Sequence, residues 1–371
     1  MYIKSIKLTN FRNYHKINVS FNKGINIIYG DNAQGKTNLL ESIYVLGLTK
    51  SHRNILESNI INKDKDYFLI KGKLKKDKLA TELEIYNDET NKNLKLDNSV
   101  IKKVSDYISI MNIIIFTPDD LEIIKSSPQI RRKFMDTELS QLYSDYYNVL
   151  NDYKKLLKMR NEYLKSISKN KKLSHEYLDS ITSILIDKSI IIYKMRFNFI
   201  KKINNYCSDI YEDISKLSNF RIEYKNCVSI DLKSSSLKED LIKIYKEKED
   251  LDIKLTSTSI GPHKDDLEFY LDNNNLKLYG SQGQQRLAVL TLKLSEIEIF
   301  KQYKESTPIL LLDDIFSEID EMKKNNLLKY INKNIQTIIT TTDLKDIDDK
   351  IIKGAKVLKI EDGKITREVI K

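Results

Sequence analysis

"GDNAQGKT", residues Gly30 to Thr37, is the stretch on which the fold turns. It fits the spacing G-x-x-x-x-G-K-[ST], follows the apolar run "INIIY" and opens the helical "NLLESIYVLGL". The spacing has a physical reason. Backbone N–H groups of Gly30, Asp31, Asn32, Ala33, Gln34 and Gly35, with those of the helix start, surround phosphate oxygens. The glycines let the backbone come close. Lys36 reaches the β- and γ-phosphates, and the Thr37 hydroxyl is placed to ligate Mg2+. Strand, loop and a helix from Lys36 to about Leu48 agree, so the stretch predicts a nucleoside triphosphate site taking ATP and Mg2+.

The second half of such a site stands far downstream, in "PILLLDDIFSEID". Ile309 to Leu312 predict a central strand buried on both faces. Asp313 leaves its carboxyl end, where a P-loop protein needs an acid to hold Mg2+, and Asp314 is next, placed to polarise an attacking water. Read alone, the pair is a plain strand terminus. Lys36, Asp313 and Asp314 are thus the candidate catalytic residues, and Thr37 and Asp313 the candidate metal ligands. One site drawn from both chain ends requires those ends to share a sheet. The predicted fold is α/β, a head made by residues 1–127 and 251–371, with 128–250 as an inserted helical arm.

The intervening chain fits that division. "YIKSIKLTNF", "KINVSF", "YFLIKGKL", "LATELEIY" and "IMNIIIF" read as strands by alternation or short apolar runs. From Pro128 to Leu217 there is no glycine. Leu139, Tyr143, Tyr146, Leu150, Tyr153, Leu157, Leu164 and Ile167 follow steps of four and three, with Arg160 in one slot. As one helix, Leu139 to Ile167 would span about 42 Å. "SKNKK" breaks it, and a second helix is predicted from about Leu173 to Ile214, making an antiparallel hairpin. A possible strand, "NFRIEY", and a charged helix near Leu237 to Glu249 precede the return to α/β style in "DLEFYLD", "QQRLAVLTLKLSEIEIF" and "IQTIITTTD".

Composition narrows the class. The 371 residues allow a sizeable core, and no apolar run approaches the ~18 residues of a membrane span. Two cysteines without metal-ligand spacing fit a reducing, cytoplasmic setting. Lys plus Arg number 63 against 53 acidic residues, a net charge of +10 that suits a polyanion such as DNA. Coding bias toward Lys, Asn and Ile accounts for the same excess. Glycine and proline number only 10 and 4, where average usage supplies roughly 26 and 18. Each survivor is therefore expected to meet a backbone need, and Gly280 and Gly283 flank Ser281 in "GSQGQQR".

Taken together these stretches resemble the ABC-type ATPase heads, and within them the RecF family of DNA-repair proteins. "LTNFRNY", "GDNAQGKTNLLESI", "KSHR", "FTPDDL", "SPQIRRKFMD", "GPHKDDL", "GSQGQQR" and "LLLDDIFSEID" lie in the family's order over nearly the whole chain. The resemblance implies that Ser281, Gln282, Gly283 and Gln284 form a divergent signature motif, "SQGQ" for "SGGQ", contacting the γ-phosphate held by a second copy in a head-to-tail dimer. A hydroxyl, a glycine N–H and a helix N-terminus suit an anion. Read by itself, the segment caps a helix with Ser281. The resemblance further places Asp320 in a D-loop near the dimer interface, and a switch region at Thr340 to Asp343. Asp119 and Asp120 are candidates for the Q-loop position.

Departures are Lys264 where many relatives carry arginine, and Asp314 where many ABC ATPases carry glutamate, which implies slow hydrolysis. The family implies ATP-dependent dimerisation on duplex DNA and single-strand/double-strand junctions, RecO and RecR as partners in loading recombinase at gaps, links to replication and the SOS response, and no membrane. Arg131, Arg132 and Lys133, and Lys169 to Lys172, are the basic clusters considered for DNA. The competing readings are a transporter ATPase subunit, a chromosome-organising ATPase of the SMC type, for which the arm is too short, and a nucleotide-gated scaffold that does not hydrolyse.

Overall fold

The computed structural model describes residues 1–370 except 54–56, 77–78, 89, 171, 305–306, 318–323, 325–326 and 328–334. In chain order the first strands are β1 (Tyr2–Phe11), β2 (Tyr14–Ser20), β3 (Ile25–Tyr29), β4 (Tyr67–Lys76), β5 (Leu79–Asp88), β6 (Lys92–Leu96), β7 (Ser99–Val100) and β8 (Ile113–Phe116). They are followed by β9 (Phe220–Lys225), β10 (Asp266–Leu271), β11 (Asn274–Asn275), β12 (Ile309–Asp313), β13 (Thr337–Thr341), β14 (Lys356–Glu361) and β15 (Lys364–Ile370). The chain divides into two compact units, one of residues 1–120, 213–215 and 290–371, the other of 121–212 and 216–289.

The first unit holds two six-stranded sheets. One has the order β15-β14-β3-β13-β12-β8, parallel except for the edge strand β15. Strands from both chain ends therefore interleave in it, β3 lying between β14 and β13, as a site shared between the P-loop and Asp313 requires. Every residue of β12 and β13 is buried, which explains runs of Ile, Leu and Thr in place of alternation. The other sheet, β2-β1-β4-β5-β6-β7, is antiparallel, and β1 alternates buried with accessible positions. The helix Lys36–Leu48 packs on both β13 and β4, so it is buried nearly all round. Far ends of the chain are also stitched directly: Gln336 Oε1 accepts the Ile3 N–H at 2.7 Å, and Gln336 Nε2 donates to the Ile3 carbonyl at 2.8 Å.

The second unit carries the long helices and a small antiparallel sheet, β11-β10-β9. The predicted helix through Leu139 to Ile167 is broken. One helix, Pro128–Leu142, ends at Tyr143, whose extended backbone (φ −136°, ψ 110°) starts a new helix, Ser144–Lys169. The apolar spacing continues across the break, with Leu139 before it and Tyr146 after it both buried. Beyond it Tyr146, Leu150, Tyr153, Arg160, Leu164 and Ile167 are all buried. The returning helix is His175–Ser215, and Leu164, Ile167 and Leu178 close the far end of the hairpin.

Arg160 in an apolar slot has a partner set to match. It donates to Thr182 Oγ1 (2.9 Å), Asp252 Oδ2 (2.7 Å) and Thr258 Oγ1 (2.8 Å). Arg196, 2% exposed at its side chain, donates to the Pro262 carbonyl at 2.6 Å and Asp136 Oδ1 at 2.8 Å, with Asp265 Oδ2 at 3.3 Å. Buried arginines are tolerable only when their forks are filled in this way.

Candidate nucleotide-binding site

The P-loop leaves β3 at Gly30 and enters the helix at Lys36. Gly30 has φ +153°, and a Cβ there would lie 2.3 Å from the Ile360 carbonyl oxygen of β14. Gly35, the N-cap, has φ +109° and is crowded by Asn13 and Tyr14. Both glycines thus meet a backbone need. The loop is held from outside: Tyr14 donates its hydroxyl proton to the Gly35 carbonyl at 2.9 Å, and the Gly363 N–H reaches the Gln34 carbonyl at 3.2 Å.

Inside the loop, Lys36 is 6% exposed and its ammonium donates to the carbonyls of Gly30 (2.6 Å) and Asp31 (2.8 Å). Burial lowers its pKa, against the opposing charges of Asp314, Asp313 and Asp31. Thr37 Oγ1 donates to Asp313 Oδ1 at 3.0 Å, and Thr340 Oγ1 on the intervening strand β13 donates to the same oxygen at 2.7 Å. Asp313 is 6% exposed. Burial raises its pKa, opposed by those two hydroxyls and by the charges of Arg53 and Lys36. Asp314 turns the chain with φ +50°, its N–H directed to the Thr340 carbonyl at 3.2 Å. The structure therefore gathers Lys36, Thr37, Asp313 and Asp314 at one end of the parallel sheet.

A second group stands beside them that the sequence reading did not assign. Glu41, on the same helix as Lys36, is fully buried. Arg12 grips it with both nitrogens, Nε at 3.0 Å and Nη2 at 2.7 Å, Ser51 donates at 2.5 Å, and Arg53 Nη1 lies 3.5 Å away. Burial pushes its pKa up, but these hydrogen bonds and charges outweigh it and hold the carboxyl below its ordinary value. The signal was present in "NLLESIYVLGL": one carboxylate in an apolar helix needs buried cations. The partners, in "NFRNY" and "KSHR", could not be paired with it by spacing.

Ser281 to Gln284 lie in the second unit. The Gln284 N–H donates to Ser281 Oγ at 3.2 Å, and the Ser281 N–H donates to Gln284 Oε1 at 2.9 Å, a reciprocal capping box at the start of the helix Gln282–Lys304. Ser281 and Gln282 are exposed. A Cβ added at Gly283 would meet nothing nearer than Ser281 Oγ at 3.9 Å.

Arg131 is 2% exposed and paired with Asp266 (Nε–Oδ1 2.5 Å, Nη2–Oδ2 3.0 Å), so it is a buried tie and offers nothing to a DNA backbone. Arg132 donates to the Asp265 carbonyl at 2.6 Å. His263 sits between the Tyr153 hydroxyl (2.5 Å to Nδ1) and the Thr258 carbonyl (3.0 Å to Nε2), a structural placement. Asp120 accepts the Thr117 N–H at 2.7 Å, and Lys293 Nζ lies 3.8 Å from it; Asp119 is exposed. Asp320 lies outside the described residues. Among the described residues no helix is long and apolar enough to cross a membrane.

The family model described as the RecF/RecN/SMC N terminal domain matches residues 2–365. Proteins of Bacillus cereus (strain AH820) and Bacillus anthracis (strain CDC 684 / NRRL 3495), both named DNA replication and repair protein RecF, are 39% identical over 372 aligned positions, covering 100% of this chain and 99% of theirs. A solved structure of the recombination mediator protein RecF with ATP, described as part of the RecFOR pathway, aligns with TM-score 0.91 and 34% identity over 99% of this chain and 97% of its own. An Smc head bound to the C-winged helix domain of ScpA aligns with TM-score 0.57 at 17% identity, a likeness of fold alone.

Proposed function

Because the chain belongs to the RecF family of DNA replication and repair proteins, we propose that it is an ATP-dependent DNA-binding protein of recombinational repair and replication, whose two copies close head-to-tail over ATP. The observation that carries this reading is the hydrogen bond from Thr37 to Asp313, which joins the P-loop helix to the strand that ends in two acids.

Gly30 to Gly35 cradle the phosphates with their N–H groups, and Lys36 exchanges its loop carbonyls for the β- and γ-phosphates. The donor set suits Mg2+: a hydroxyl beside a buried carboxylate whose pKa burial has raised is a site that a cation relieves. Thr37 and Asp313 would hold that ion, which supplies charge neutralisation at the phosphates. Asp314 polarises the attacking water. Its side chain is one methylene shorter than glutamate, so turnover is slow and ATP acts mainly as a switch, with hydrolysis releasing the dimer.

Ser281, Gln282, Gly283 and Gln284 meet the γ-phosphate held by the second copy. The capping box does not compete with this. Ser281 Oγ accepts from Gln284 while its own proton remains to be donated outward. Gly283 also supports the reading. Glycine in a helical turn costs roughly 0.5–1 kcal/mol against alanine. The isolated chain has room for a side chain there, whereas an approaching phosphate does not leave it. The partners are duplex DNA with single-strand/double-strand junctions, and the RecO and RecR mediators that the pathway of the RecF–ATP structure names.

Sedimentation with ATP, ADP or no nucleotide, with and without junction DNA, tests the proposal on wild type, Lys36→Met and Ser281→Arg. ATP-dependent dimers in wild type alone are expected. Dimers in Ser281→Arg would remove the signature from the interface. A DNA affinity that does not fall with salt would rule out phosphate-dominated binding.

A further inference from the structure

The β14–β15 hairpin turns through Asp362 and Gly363, at φ +48° and +69°, between the paired residues Glu361 and Lys364. The N–H groups of these two central residues lie outside the strand ladder. Both are used on the phosphate loop. The Asp362 N–H donates to Gln34 Oε1 at 2.5 Å, and the Gly363 N–H donates to the Gln34 carbonyl at 3.2 Å. Asn13 Nδ2 reaches the same carbonyl at 3.4 Å. One residue on, the Gly35 carbonyl accepts the Tyr14 hydroxyl at 2.9 Å as well as the Leu39 N–H at 3.0 Å. The hairpin has little space here: a Cβ on Gly363 would lie 3.3 Å from the Asn13 carbonyl oxygen, at a φ that side chains rarely adopt.

These contacts fix a direction. Among the described residues no peptide bond is cis, and a trans peptide carries its C=O and N–H on opposite sides. Holding the Gln34 carbonyl toward the hairpin therefore turns the Gly35 N–H the other way, into the loop. Holding the Gly35 carbonyl does the same for the Lys36 N–H. The Lys36 ammonium meanwhile draws two carbonyls, those of Gly30 and Asp31, to the inner side. The outer ties keep the next two peptides from turning likewise. We infer that the Asp362–Gly363 turn and the Tyr14 hydroxyl are positioning groups of the nucleotide site, which aim the Gly35 and Lys36 N–H groups at the phosphates before nucleotide arrives. This rests on the reading of the P-loop as an ATP site. Successive N–H groups turned to one side form an anion-binding concavity, and one that is already set need not be ordered at each binding event. Loop N–H groups of this kind serve the α- and β-phosphates, so the contribution is common to ATP and ADP.

The test is ATP and ADP affinity by calorimetry, single-turnover hydrolysis at saturating ATP, and thermal unfolding without nucleotide, on wild type, Gly363→Val, Tyr14→Phe and Gly354→Val. Gly354 precedes β14 at φ +85° with open space around it, so valine there brings similar backbone strain without meeting the loop. Gly363→Val should weaken ATP and ADP alike, by about tenfold or more, with hydrolysis at saturation within about threefold of wild type. Tyr14→Phe should weaken both by about threefold or more. Gly354→Val should lower the melting temperature and leave both affinities at wild type. Where wild type binds both nucleotides, an unchanged affinity in Gly363→Val or in Tyr14→Phe overturns the inference for that group, and the ATP reading survives. A loss in Gly354→Val equal to that in Gly363→Val overturns it too, because strain alone then explains the effect. So does a loss for ATP without one for ADP, which places the defect at the γ-phosphate. If Gly363→Val does not fold, Tyr14→Phe decides by the same criteria. If wild type binds neither nucleotide, the ATP reading falls and takes the inference with it.

Discussion

Thr37 Oγ1 donates to Asp313 Oδ1 at 3.0 Å, across 276 positions of chain. The first residue of this pair lies in the first turn of the helix that follows the P-loop, the second at the end of a strand buried on both faces. Asp313→Ala should therefore lower single-turnover ATP hydrolysis by about 100-fold or more, since the site loses the carboxylate proposed to hold Mg2+. A rate within a fewfold of wild type would show that Asp313 does not serve the metal.

Lys36 holds its own loop closed by donating to the Gly30 and Asp31 carbonyls. Lys36→Met keeps the bulk and removes the charge. ATP affinity by calorimetry should fall by about tenfold or more, because a charge-assisted contact to two phosphates is lost. Unchanged affinity would place the triphosphate elsewhere.

Asp314 follows Asp313, the proposed Mg2+ ligand, in a left-handed backbone conformation, φ +50°. Asp314→Asn should depress hydrolysis by about 100-fold while leaving ATP-dependent dimerisation intact. Equal rates in the two proteins would make this a nucleotide-gated scaffold with no chemistry at that position.

Arg196 is surrounded by Asp136, Asp265, the Tyr146 hydroxyl and the Pro262 carbonyl. Arg196→Met strands two acids and a carbonyl without their cation. Urea unfolding should show a loss of about 3–5 kcal/mol. A loss below about 1 kcal/mol would mean that the acids find other partners.

His263 has its pKa lowered from 6.5 to about 4, first by burial, then by the charges of Lys264 and Arg132. Between those two values the unfolded chain binds a proton that the folded chain refuses. This contribution to stability is therefore present above pH 6.5 and lost as pH falls toward 4. It amounts to at most about 3 kcal/mol. His263→Gln should flatten the pH dependence of the urea midpoint over that window, and an unchanged slope would refute the assignment.

Much of this protein is legible in its sequence where the information is local. Gly30 and Gly35 announce a loop whose backbone other residues rarely adopt, and the helix behind them begins at Lys36 and ends at Leu48 as its apolar pattern predicts. Ile309 to Leu312 read as a strand covered on both faces, and every residue is buried. The break at Tyr143 was not legible, because the spacing of Leu139, Tyr146 and Leu150 continues across it and no glycine or proline marks a stop there.

From sequence alone came the phosphate loop, the succession of strands and helices, and the requirement that both chain ends enter one sheet. These follow from periodicity and backbone constraint, which act between neighbours. Tertiary structure alone decided which charges are spent inside the fold. Arg131 reads as a surface cation and is buried against Asp266, while Arg12 and Arg53 converge on Glu41 from separate segments. It also decided that the turn through Asp362 and Gly363 meets Gln34. A buried charge or a tied loop is defined by what lies a few ångströms away in space, and folding brings those neighbours from parts of the chain that no local pattern connects.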